Sequence, residues 1–249
     1  MSTRSIDYVF AGGAIEVQRG VTIPRELVST AVQKTNQVFE ELSSVVPYVY
    51  DLLQMRNLSA FVGAAFCQEL ATVSDGLLRL NPHQDGYPDL LLMDDKGKKL
   101  WVQLDGQHRE KEPFSPFATG GVEVKATCGD VPSARALTAR GTGKPEIGDN
   151  RIGLVKNLNW KAHHRETNYL IALQWDFIDQ VPAIVAVMYS RGLTESDWGK
   201  IVSPRDGGGR TTSVSIMNRQ GVQKLASNPI IIIDDDRYKT LLKRLASGR

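Results

Sequence analysis

Two short segments of this chain combine residue types suited to metal-assisted hydrolysis of a phosphodiester. One reads Gly86-Tyr87-Pro88-Asp89-Leu90-Leu91-Leu92-Met93 and sets a carboxylate at the mouth of an apolar strand. The other reads Gly121-Val122-Glu123-Val124-Lys125-Ala126-Thr127. Side chains of an extended strand alternate in direction, so Glu123 and Lys125 share a face while Val124 points the other way. In such chemistry carboxylates hold a divalent cation, and a lysine orients or deprotonates the attacking water.

An acid-x-Lys triplet arises by chance about once in a chain of ordinary composition and this size. A second one is present, Asp94-Asp95-Lys96, followed by Gly97, Lys98 and Lys99. Its composition predicts a solvated hairpin tip between strands at Asp89–Asp94 and Leu100–Leu104. The Glu123 triplet instead lies inside a strand, after Gly120-Gly121, and is paired with an apolar strand that opens on Pro88-Asp89. Asp85 is a weaker substitute for Asp89, and Gln103 or Asp105 compete as site residues, although neither has a lysine two residues on.

The elements that must position these residues follow from periodicity. Leu27, Val28, Ala31, Val32, Val38, Phe39 and Leu42 recur mostly at helical spacing after Pro24. Pro47 interrupts this run and predicts a short helix through Leu53, with Asn57 or Ser59 capping a further helix over 60–73. On that helix Glu69 falls on the stripe of Val62, Phe66 and Val73, either solvated at its edge or directed into a cleft. The apolar runs Tyr169–Phe177 and Pro182–Tyr189 are too continuous for exposed edges. Pro229–Ile233 predicts a strand and Tyr238–Leu245 an amphipathic helix. The expected fold is α/β, a mixed central sheet flanked by helices. It is read as one domain over 1–249: a mainly helical region 1–75, a catalytic sheet 76–190 with a basic excursion at 128–165, and a loop region with a terminal strand and helix at 191–249.

The net charge of +2 hides an uneven distribution. Residues 1–110 carry 10 Lys and Arg against 14 Asp and Glu, whereas 111–249 carry 20 against 14. Within the excursion, Arg135, Arg140, Lys144, Arg151, Lys156, Lys161 and Arg165 face only Glu146 and Asp149 over residues 135–165. That excess suits either a phosphate backbone or a solvated loop. The two cysteines, Cys67 and Cys128, provide no disulfide framework and suit a reducing compartment. The N-terminal residues lack the apolar run of a signal peptide, and no segment reaches the roughly 18 apolar residues of a membrane span. The expectation is a cytoplasmic protein.

Pro88-Asp89 with Glu123-Val124-Lys125 resembles the PD-(D/E)xK nuclease superfamily, and within it the type II restriction endonucleases. The resemblance covers residues 58–127, including the helix with Glu69, which resembles a helix that often adds a further acidic residue. It implies a restriction-endonuclease-like fold and a site in which Asp89, Glu123 and the Val124 carbonyl bind Mg²⁺, with Mn²⁺ as substitute. Lys125 would position the attacking water, Glu69 would be a secondary ligand or water-orienting group, and the products would carry 5′-phosphate and 3′-hydroxyl ends. It further implies double-stranded DNA as substrate, a homodimer that cuts both strands of a symmetric site, a cognate DNA methyltransferase and a prokaryotic cytoplasm. The two acidic residues are 34 positions apart, longer than the family's compact form, in which their strands make a hairpin.

For DNA contacts the candidates are Arg135, Arg140, Lys144, His163, His164 and Arg165 in the excursion, and Arg210, Thr211 and Thr212 in the later loop. His163 and His164 are adjacent and point apart, so a shared metal is not expected, and the cysteines offer no zinc spacing. Gly207–Ser213 lacks the Gly-Lys-Ser/Thr ending of a nucleotide-binding loop. Asp234-Asp235-Asp236 is read as the favourable acidic start of a helix. A structure-selective nuclease and a non-catalytic DNA-binding protein are the rival readings.

Overall fold

Alternating apolar residues in the second half of the chain build the centre of a mixed sheet, and helices from both ends cover it. The computed structural model describes residues 5–163, 165, 168–204 and 213–248. Its strands are β1 (Tyr8–Phe10), β2 (Ile15–Glu16), β3 (Thr22–Ile23), β4 (Leu78–Leu80), β5 (Leu90–Leu92), β6 (Gly121–Thr127), β7 (Lys161–Ala162), β8 (Leu170–Ile178), β9 (Val181–Ser190), β10 (Ser215–Ile216) and β11 (Pro229–Ile233). The helices are α1 (Arg25–Val45), α2 (Val49–Val73), α3 (Asp95–Gln103), α4 (Ala134–Thr138), α5 (Arg219–Ala226) and α6 (Asp236–Ala246).

Seven strands form the main sheet in the order β1-β11-β9-β8-β6-β5-β4. β6 and β8 run parallel, and the other neighbours are antiparallel. Alternation on β8 sends Ile171, Leu173, Trp175 and Phe177 into a core shared with α1 and α2. Leu170 and Ala172 face a second core with α5 and α6. Burial on both faces is why these strands read as continuous apolar runs. The first core also takes in a polar group: Asn36 of α1 donates to Tyr8 Oη at 2.6 Å and accepts from the Ile184 N–H at 2.9 Å. Satisfied in this way, a buried amide is tolerated.

Several expectations are corrected. The segment read as a hairpin tip and strand is helix α3. Asp94 caps it by accepting from the Gly97 N–H at 2.9 Å, and Leu100, Trp101 and Leu104 pack on Leu91, Met93, Phe114 and Phe117. A glycine is needed at 97 because a Cβ there would stand 2.0 Å from the Leu92 carbonyl oxygen. The two helices expected over 47–73 are present within α2, divided at Gln54 (φ 56°, ψ 159°) directly after the expected end at Leu53, but the second begins there and not at a cap on Asn57 or Ser59. Ser59 lies inside the helix, where its hydroxyl accepts from Trp175 Nε1 at 3.0 Å. Region 1–75 is mainly helical through α1 and α2, and its β1 completes the sheet against β11.

The excursion is also more than a basic loop. Ile152, Val155, Leu158, Trp160 and Ala162 are buried in the second core, and Trp160 Nε1 donates to the Leu173 carbonyl at 3.0 Å. Arg151 is buried; its N–H donates to the Asp176 carboxylate at 2.8 Å and its guanidinium to the Glu146 carbonyl. Asp235 caps α6 by accepting from the Arg237 N–H, which accords with the structural reading of the acidic triplet. Among the described residues no helix is long and apolar enough to cross a membrane.

Candidate active site

With α3 lying outside the sheet, β5 and β6 become direct antiparallel neighbours, Leu90 opposite Val122 and Leu91 opposite Gly121. The 34-residue separation therefore holds a helix and a loop, and no intervening strand. Gly121 permits this pairing, since a Cβ there would stand 1.9 Å from the Leu90 carbonyl oxygen. Pairing ends at Val122, while β6 runs on to Thr127. Past that point the edge of β6 is open, and the candidate site occupies the notch.

The turn before β5 aims Asp89 into this notch. Asn81 Nδ2 donates to the carbonyls of Pro88 (2.9 Å) and Phe114 (3.0 Å), and the Asn81 N–H donates to the Asp89 carbonyl at 2.9 Å. Gly86 gives the Asn81 side chain room, because a Cβ there would meet it at 2.4 Å. Asp89 then takes the place of the missing strand neighbour: its Oδ2 accepts from the Val124 N–H at 2.8 Å. Glu123 Oε2 accepts in turn from the Asp89 N–H at 3.1 Å. Lys125 Nζ bonds to Glu123 Oε1 and lies 3.4 Å from Asp89 Oδ2.

The electrostatics follow from this packing. Glu123 is only 5 % exposed. Burial pushes its carboxyl up to about 7; the Lys125 charge opposes the rise and the Asp89 charge adds to it. Burial alone would lower the Lys125 ammonium, but Glu123 and then Asp89 outweigh it and hold the group above its ordinary value. Lys125 is therefore a cation at neutral pH, a donor that can orient water and a poor base. Cys67 lies in the same cleft wall, where burial and then Asp89 push its thiol well above the ordinary range. Cys128 is pushed up to about 11 by burial. Neither thiol is poised as a nucleophile.

The donor set fits a hard divalent cation. Two carboxylates already share one ammonium. The Val124 N–H reaches Asp89, and within an extended strand the carbonyl of the same residue is directed to the same edge. Among the described residues no group of three or more His, Cys, Asp and Glu side chains gathers. Two carboxylates with a carbonyl suit Mg²⁺, which keeps several waters, better than zinc, which favours histidine and cysteine.

The notch opens into a cleft of about 1010 Å³ between α2 and the end of the excursion. Arg56, Lys125 and Lys161 line it together with Asp89, beside His83 and His163, so among the described lining residues lysine and arginine outnumber carboxylates. Glu69 is half-buried and absent from this lining, although its neighbours Cys67 and Gln68 on α2 belong to it. Arg135, Arg140 and Lys144 are exposed but lie outside the cleft lining. Arg165 is also outside it, 3.4 Å from Glu195 in an ion pair. Asp85, Gln103 and Asp105 are exposed and likewise absent from the lining. His164, Arg210, Thr211 and Thr212 lie outside the described residues. His83, Asn159 and Lys161 were missed as site residues. The alternation of Asn159, Lys161 and His163 with apolar Trp160 and Ala162 was the available signal for two of them. Comparison of this chain with protein-family models, curated proteins and solved structures finds no match.

Proposed function

We propose that this chain is a Mg²⁺-dependent DNA endonuclease of the PD-(D/E)xK type, with a restriction-endonuclease-like fold. The observation that carries the reading is the meeting of Asp89, Glu123 and Lys125 at the open edge of β6, joined through the Val124 N–H bond to Asp89 Oδ2. A binding module has no use for two carboxylates and a lysine held together beneath a cationic cleft.

Asp89, Glu123 and the Val124 carbonyl would hold the ion, whose chemistry when bound is to offset negative charge on the phosphate and polarise water. Lys125 donates to the attacking water and fixes its approach. The water oxygen bonds to phosphorus, the bond from phosphorus to the 3′ oxygen breaks, and the leaving oxygen takes up a proton from solvent. The water's own proton passes to solvent through the open cleft. The products are 5′-phosphate and 3′-hydroxyl ends. In the restriction-enzyme form of this reading the chain works as a cytoplasmic homodimer on double-stranded DNA, protected by a cognate methyltransferase. The burial of Ile152, Val155, Leu158, Trp160 and Ala162 in the core reduces the excursion left for reading bases, and that favours a structure-selective nuclease as the second reading.

The test is incubation of the purified protein with methylated and unmethylated DNA, in Mg²⁺ or in chelator, beside Glu123→Ala and Lys125→Ala. Discrete metal-dependent fragments, lost in both variants, support a sequence-specific enzyme. Metal-dependent smearing lost in both variants supports the structure-selective one. DNA binding without cleavage of any substrate refutes catalysis.

A further inference from the structure

We propose that Asn159, Lys161 and His163 form a phosphate-binding strip that grips the nucleic-acid backbone beside the scissile bond, an inference that rests on the nuclease reading. The three residues alternate with Trp160 and Ala162, which are buried in the second core. A two-residue period turns the polar members to one side, and all three line the cleft that holds Asp89 and Lys125.

The strip is built as an extension of the catalytic strand. Thr127 shares a face of β6 with Glu123 and Lys125, and its hydroxyl donates to Asn159 Oδ1 at 2.6 Å. The Thr127 hydroxyl also accepts from the Gly129 N–H at 3.1 Å, which fixes its direction. With Oδ1 turned toward Thr127, Asn159 offers the cleft the two donors of its amide nitrogen. A bidentate adenine contact needs the amide oxygen as well, so the arrangement suits phosphate oxygens better than a base edge. Lys161 is exposed and has no ion-pair partner among the described residues, which leaves its charge to a ligand. At His163, Nδ1 is 2.9 Å from the Ser213 carbonyl. A carbonyl only accepts, so Nδ1 donates there, and Nε2 becomes a donor to phosphate only in the doubly protonated ring.

The opposite wall leaves room for the backbone. Ala60, Gly63 and Ala64 of α2 line its middle with short, uncharged side chains, between Arg56 and Gln68 of the same helix. A strand lying in the cleft would meet the donors of the β7 side directly and, across from them, a low surface flanked by Arg56 and Gln68. Contacts of this kind set register on the substrate and carry no sequence information.

The experiment measures binding of a labelled, sequence-random DNA duplex in chelator across a salt series, followed by cleavage in Mg²⁺ at saturating DNA. Lys161→Ala should bind severalfold more weakly, with the slope of log affinity against log salt reduced by about 1. Asn159→Ala and Thr127→Val should each weaken binding while leaving that slope close to wild type. Lys156→Ala removes an exposed charge from a different hollow and should change neither quantity. At saturation Lys156→Ala should cleave at the wild-type rate. If Lys161→Ala matches Lys156→Ala in affinity and slope while wild type binds and cleaves, the strip is overturned and the nuclease reading stands. If wild type binds but never cleaves, the nuclease reading falls and the salt slopes still decide the strip. A wild-type protein without affinity for DNA overturns both.

Discussion

Replacing Glu123 with glutamine in metal-free protein should stabilise the fold at alkaline pH while abolishing cleavage. Glu123 is 5 % exposed, so its ionised form has lost nearly all hydration. Burial raises its carboxyl from 4.5 to about 7, with the Lys125 charge working against the rise and the Asp89 charge with it. A carboxyl whose folded value is raised favours the native state most below its unfolded value, 4.5, and that contribution is lost as pH climbs through about 7. At pH 8 the ionised group therefore costs the fold up to about 3 kcal/mol. Glutamine keeps the shape but gives up the charge-assisted bond to Lys125, so a net gain of about 1–3 kcal/mol is expected at pH 8. The two proteins should converge as pH falls below 4.5, where Glu123 is neutral in both states. Urea unfolding in chelator, repeated across pH, measures this directly. A variant less stable than wild type at pH 8, with the deficit shrinking in acid, would refute the reasoning and show that the Lys125 pair outweighs burial.

Other perturbations test the geometry from different sides. Lys125→Ala should lower the single-turnover cleavage rate about 10²–10⁴-fold while leaving duplex binding in chelator close to wild type. Gly121→Ala drives a methyl group into the Leu90 carbonyl and should destabilise by about 1–3 kcal/mol or more in urea unfolding, with cleavage lost through the shifted β5–β6 register. Trp160→Ala should cost about 3–5 kcal/mol by emptying a fully buried site. Arg135→Ala, Arg140→Ala and Lys144→Ala should each stay within about 0.5 kcal/mol of wild type in the same assay, since all three are exposed.

Much of this molecule was legible without coordinates, because alternation and helical spacing are local signals. The runs over Tyr169–Phe177 and Pro182–Tyr189 announced strands buried on both faces, and β8 and β9 are those strands. Glu123 and Lys125 had to share a face once their segment was extended, and they bond to each other across it. Asp89 at the head of an apolar run was singled out by type and position. Composition misled at Asp94–Lys99, where glycine and lysines suggested a turn. What decides there is a long-range contact: Leu100, Trp101 and Leu104 find an apolar surface on Phe114 and Phe117, and that burial selects helix.

Tertiary structure alone decided which candidates meet. That β5 neighbours β6, that Asp89 reaches the Val124 N–H, and that Glu123 is buried beneath Lys125 depend on contacts between residues about 35 positions apart. Residue type could not separate Arg151, buried and bonded to the Glu146 carbonyl, from Lys161, exposed in the cleft. It could not exclude Glu69 from the cleft wall either, since a break at Gln54 and the packing of α2 set which face of that helix the cleft receives. Local periodicity dictates which residues share a side of an element; only the packing of one element against another dictates what that side confronts.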